Sequence, residues 1–157
     1  MRNLRSNSGR IALTSGLLLG LLAQHASALF IVNQPWVRPA QRLQATEAYM
    51  NLTSSDGATL VGAVSAAAGS VAIRAPGKTT GNLARLPLPA QRVVALAPGQ
   101  YHLVLGHLAR TLKVGDRVPL TLTIEAADGA RQDIAVSADV RLHSPIDDEM
   151  RAHHHAH

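Results

Sequence analysis

Cysteine is absent from the 157 residues, and aromatic side chains are scarce: one Trp, two Tyr and one Phe. Without thiols there is no cysteine nucleophile, no Cys-based zinc site and no thiol–disulfide exchange. A lipid attached to a cysteine behind a leader is excluded as well. Any transition metal would have to be held by His, Met, carboxylate or backbone. The basic residues are scattered, with no run and no interleaved aromatics, so a nucleic-acid groove is not expected. No Gly-rich phosphate loop follows a strand and opens a helix, and no nucleophile stands with a base and an orienter at informative spacing. The chain does not read as an enzyme.

What is present begins with a leader. Arg2, Arg5 and Arg10 precede an apolar run from Ile11 to Ala23, and Ala26-Ser27-Ala28 has the small-x-small cleavage pattern. This is the layout of a secretory signal peptide over residues 1–28, removed after Ala28. The run falls short of the ~20 apolar residues that span a bilayer, and an uncleaved anchor is the competing reading. Losing three arginines takes the formal net charge from +5 to +2, so the high pI ceases to argue for nucleic acid. The 129 residues that remain suffice for one domain, resting on a hydrophobic core rather than on disulfides. No later segment is apolar enough for stable membrane insertion, and export predicts a periplasmic protein.

From Phe30 on, the pattern is all-β. Phe30-Ile31-Val32 and Trp36-Val37-Arg38 flank Pro35 and predict a broken edge strand, because proline cannot donate to a ladder. Further strands are expected at 46–53, 59–64, 71–74, 92–96, 101–105, 117–125 and 131–140, divided by turn pairs such as Asp56-Gly57, Pro98-Gly99 and Asp128-Gly129. Residues 75–89 hold three prolines and two glycines and read as an irregular loop. About eight short strands with turn signals between them imply a β-sandwich or small barrel.

The Pro98-Gly99 turn leads into Gln100-Tyr101-His102-Leu103-Val104-Leu105. Period-two alternation puts Tyr101, Leu103 and Leu105 on one face and His102 with Val104 on the other. His102 is thus a candidate metal ligand, against the structural readings that lead for a lone strand histidine. His107 falls on the opposite parity and reads as structural or exposed; Met50 reads as core.

Residues 142–157 change character. Asp147, Asp148 and Glu149 are followed by Met150, then His153, His154, His155 and His157. So few apolar residues predict a disordered tail. Its composition is that of a metal-binding segment: imidazoles suit Cu(II), Ni(II) and Zn(II), and Met150 adds one soft donor for Cu(I). A solvated tail without function is the rival reading.

Several stretches resemble the periplasmic copper chaperone family PCu(A)C. They are Pro35-Trp36-Val37-Arg38, Ala48-Tyr49-Met50-Asn51-Leu52-Thr53, Leu60-Val61-Gly62, Leu88-Pro89-Ala90, residues 96–103 and residues 112–123, in family order. The resemblance implies a cupredoxin-like Greek-key β-sandwich over residues 29–141. It also implies Cu(I) held by two His and two Met, including a closing H-x-M, and delivery to a copper-accepting partner such as a cytochrome oxidase copper centre. Here the closing pair is His102 and Val104, the earlier His position falls at Arg74, and the loop Met falls near Thr80. A valine has no lone pair to give and a guanidinium is cationic, so one ligand of four survives.

The expectation is therefore a copper-binding or copper-delivery protein with a degenerate domain site. Its metal residues are His102, Met150, His153, His154, His155 and His157, with copper in either valence, or zinc or nickel at the tail. Some family members carry such His/Met-rich C-terminal extensions. Two alternatives stay open: an interaction module that has abandoned metal and uses the Arg74 surface, and a Zn/Ni/Cu buffer acting through the tail alone.

Overall fold

The computed structural model describes residues 28–77 and 81–154, with side chains through Met150. Ten strands and one helix follow in order: β1 (Phe30–Val37), β2 (Thr46–Ser54), β3 (Ala58–Val64), β4 (Ala68–Arg74), β5 (Asn82–Leu83), β6 (Leu86–Leu88), β7 (Val93–Leu96), β8 (His102–Leu108), β9 (Arg117–Ala126), β10 (Arg131–Val140) and α1 (Pro145–His154). The strands form one continuous path, β5-β4-β8-β2-β1-β10-β9-β3-β6, with β7 pairing to β2. This path rolls into a nearly closed barrel, because β3 and β4, near its two ends, are joined directly through Ser65–Ala67. The fold is all-β and cupredoxin-like.

The alternation seen in the sequence is what fills the interior. In β9, Val118, Leu120, Leu122 and Ile124 are buried between exposed or half-buried neighbours, and in β8 Leu103 and Leu105 are fully buried. Ala48, Met50 and Leu52 of β2, Leu60 of β3 and Leu86 and Leu88 of β6 join the same core. Each such leucine contributes about 1.5–3 kcal/mol by leaving water. Asp128-Gly129 closes the β9–β10 hairpin, with Gly129 at φ 85 as the tight turn requires.

Three expectations are corrected. β1 is not an edge strand: it lies between β2 and β10, parallel to the latter through Trp36–Asp139 and Val37–Val140. Pro35 is tolerated inside the sheet because the register slips between Asn33 and Trp36, with Gln34 at φ 51, so no ladder bond is asked of it. The expected loop at 75–89 contains β5 and β6. Pro87 sits in β6, the outermost strand on the β3 side, where a missing N–H is harmless. The third concerns the segment after β10, where α1 stands in place of the expected disorder. Ser144 caps it, its Oγ accepting from Ile146 N at 3.3 Å, Pro145 takes the first helical position, and Asp147 and Asp148 lie in the first turn. Arg141 pairs with Asp148 at 3.3 Å, tying the helix to the end of β10.

Candidate metal centre

β7 and β8 run in the same direction along one edge of β2. Met50 pairs with Leu96 and Ala48 with Leu103, so the chain between them makes a short excursion away from β2. Pro98-Gly99 builds that excursion: Gln100 N–H donates to the Ala97 carbonyl at 2.9 Å and Gly99 has φ 78, as a type II turn demands. His102 is the first residue of the strand that returns.

On the outer face of the barrel the cross-strand pairs form a row. Arg74 of β4 is paired with His102 of β8. One step beyond the Ala48–Leu103 pair, His102 stands in register with Tyr49 of β2, which pairs with Trp36 of β1. In the neighbouring row Val104 lies between Ala72 and Glu47. Trp36 and Tyr49 have ring centroids 4.6 Å apart, and the Arg38 guanidinium lies 5.6 Å from the Tyr49 centroid. Although they belong to the outer face, both rings are almost wholly buried, at 4% and 1% exposure. A groove of about 380 Å³ beside Trp36 is lined by Trp36, Arg38, Leu142, His143 and Ile146, so the start of α1 flanks the Trp36 side of the pair.

The polar contacts of His102 are specific. Its Nδ1 lies 2.8 Å from the Gln100 carbonyl oxygen, which can only accept, so Nδ1 carries the proton. Nε2 faces Glu47 Oε1 at 3.8 Å, too far for a hydrogen bond. The other oxygen of Glu47 accepts from the Tyr49 hydroxyl and lies 3.9 Å from Arg38 Nε. Burial, reinforced by the bond to the Glu47 carboxylate, pushes the Tyr49 phenol well above its ordinary value, so it remains a donor. The His102 side chain is 18% exposed and that of Glu47 44%.

The remaining sequence candidates are less concentrated. Met150 lies in α1 and is 54% exposed, and His153 and His154 belong to the backbone of the same helix. His155, His157, Thr80 and the leader through Ser27 lie outside the described residues. Met50 is a core residue and His107 is exposed. Among the described residues no three His, Asp or Glu side chains cluster at metal-binding distance. Arg38 and Tyr49 lie in stretches that carry the resemblance, but nothing in the sequence assigns them or Glu47 to a site. They are 53 or more positions away from His102 along the chain, and only the strand register brings them together.

Comparison with known proteins bears on the family and the fold. The LpqE-like lipoprotein family model matches residues 31–140. The chain belongs to the LpqE-like family. Among solved structures, the apo PCuAC domain from PmoF1 superposes with a TM-score of 0.62 at 25% identity, covering 71% of this chain and 92% of that one. The Cu(I) form of DR1885 from Deinococcus radiodurans matches with a TM-score of 0.54 at 29% identity, over 74% and 81% of the two chains. The copper-bound PCuAC domain from PmoF2, at 24% identity and a TM-score of 0.60 over 71% and 92%, shares the fold. No curated protein matches. This LpqE-like chain is thus a PCuAC-type domain, from a carrier family rather than an enzyme family. Its residues do not fit a two-His, two-Met Cu(I) set: Arg74 stands across from His102, and Val104 supplies no donor. No helix among the described residues is long and apolar enough to cross a membrane.

Proposed function

We propose that this chain is a periplasmic copper-binding protein of the chaperone type, exported by the signal peptide at residues 1–28. The domain at 29–141 offers His102, and the segment at 142–157 offers Met150, His153, His154, His155 and His157. The copper passes to an accepting partner such as a cytochrome oxidase subunit or an assembly factor. The observation that carries this reading is the state of His102. It sits on the outer face with Nδ1–H held by a backbone carbonyl and Nε2 without a hydrogen bond. Metal-binding imidazoles are oriented in this way. An accessible, incompletely caged donor suits transfer by ligand exchange, in which the partner's ligands replace the carrier's one at a time.

The test is copper titration, in both valences, of the full chain and of a full-length variant with the four tail histidines changed to Asn and Met150 to Leu. Loss of at least one copper equivalent in the variant is expected. Equal binding by both removes the tail from the site, and no binding by either overturns the copper reading. One observation favours a second reading, an interaction module without metal: Arg74, a cation, is the cross-strand partner of His102, where the resemblance implies a ligand. That reading requires His102→Asn to leave copper affinity unchanged. A zinc, nickel or copper buffer working through the tail alone requires the same, together with loss of all binding in the tail variant.

A further inference from the structure

The pair formed by His102 and Glu47 has a property that neither residue has alone. With its proton on Nδ1, a neutral His102 turns a lone pair on Nε2 toward Glu47 Oε1, itself an acceptor, at 3.8 Å. Two acceptors facing each other across that distance are complementary to a cation between them. An ion bonded at about 2.1 Å to each would subtend an angle near 130°, slightly open of tetrahedral.

Both groups are held from behind. The Gln100 carbonyl fixes the imidazole, and the Tyr49 hydroxyl fixes the carboxylate through its other oxygen, Oε2. This is the outer-shell support that orients metal ligands. Tyr49 in turn is wedged against Trp36 and buried, so the carboxylate is anchored to a rigid element although Glu47 reaches solvent.

We propose that Glu47 is the second metal donor of the domain, and that the His102–Glu47 pair receives a divalent ion, Cu(II) foremost, in place of Cu(I). The donor chemistry sets the valence. An imidazole with a carboxylate is a borderline-to-hard set that suits Cu(II) or Zn(II), whereas Cu(I) asks for the thioethers this face has lost. Arg38, 3.9 Å from the other carboxylate oxygen, and Arg74 across from His102 lower the affinity of the pair for any cation, which favours release. Water or a donor from another segment completes the coordination.

The inference rests on His102 acting as a donor, and the experiment separates the two claims. The full chain with its four tail histidines changed to Asn is titrated with Cu(II) and, under reductant, with Cu(I), beside its Glu47→Gln and His102→Asn derivatives. In the Glu47→Gln derivative the amide oxygen still accepts from Tyr49, so the aromatic pair is retained; the urea midpoint and Trp36 fluorescence check that the variant is folded. The expected result is a loss of Cu(II) affinity of about tenfold or more in both derivatives. Glu47→Gln leaves Cu(I) affinity within about twofold, and the Cu(II) electron paramagnetic resonance spectrum carries coupling to a single nitrogen in the parent. If His102→Asn weakens Cu(II) binding and Glu47→Gln does not, Glu47 is no ligand and the proposal is overturned while His102 keeps its role. If neither substitution matters, both claims are overturned.

Discussion

Replacing Tyr49 by Phe removes one oxygen from a part-buried polar contact of the outer face, and its effect on stability has a definite pH signature. The ring stays against Trp36 at 4.6 Å, so packing is preserved and only the bond to Glu47 is lost. Hydrogen bonds to charged groups contribute about 1.5–3 kcal/mol. Glu47 is nearly half exposed and regains water when the phenol is gone, which places the cost near the lower bound, about 1.5 kcal/mol at pH 8. For a domain of this size that is a fall in Tm of about 3–6 °C. The folded phenol is held above its ordinary value by burial and by the carboxylate, so its stabilisation is complete below about pH 10 and declines as pH rises beyond it. In the unfolded chain the phenol ionises near 10, and at about pH 11 that ionisation favours unfolding by about 1.4 kcal/mol. The Tyr49→Phe variant has no phenol to ionise at this position and escapes that loss. Urea unfolding of both proteins followed by Trp fluorescence should therefore show a gap of about 1.5 kcal/mol at pH 8 that closes to near zero at about pH 11. A gap that stays constant over that pH range would refute the assignment of Tyr49 as a buried donor to Glu47.

Two further predictions concern other parts of the face and frame. The double substitution Arg74→His with Val104→Met restores an imidazole opposite His102 and a thioether two residues on; Cu(I) affinity measured by competition with a chromogenic chelator should rise about tenfold or more. Asp116 accepts from Lys113 N–H at 3.0 Å and from Arg110 Nη1 at 2.7 Å, which together hold its carboxyl below the usual carboxylate range. Its stabilisation is present above about pH 4 and is lost as pH falls through the lowered value. Asp116→Asn should accordingly unfold at lower urea than the parent at about pH 7 and converge with it at about pH 2.

The long alternating strands were legible because each has one buried and one solvated face. Val118 to Ile124 and Leu103 with Leu105 fall into the core in the register their spacing dictates. The turn residues were equally informative, since Gly57, Gly99, Gly115 and Gly129 all adopt the positive φ that motivates a glycine there. What escaped was non-local. Pro35 reads as an edge marker, yet a bulge lets it sit in a central strand, and a bulge leaves no pattern in a sequence. β5 and β6 are two and three residues long, too short for periodicity to register, and are held by their partners β4 and β3. α1 carries its start signals in Ser144, Pro145, Asp147 and Asp148, but the scarcity of apolar residues outweighs them in a reading by composition. At the site, His102 with Arg74 and Val104 could be reached from the resemblance. Glu47 and Tyr49 could not, because their relation to His102 exists only once β2 and β8 are paired.

The parallel seam between β1 and β10 joins residues about a hundred positions apart, Trp36 with Asp139 and Val37 with Val140. A polypeptide emerging in order from the N-terminus has no partner for that side of its first strand until the tenth has been made. Closure of the barrel is thus a late event, tied to the appearance of β10 and slowed by the large loop that must be fastened.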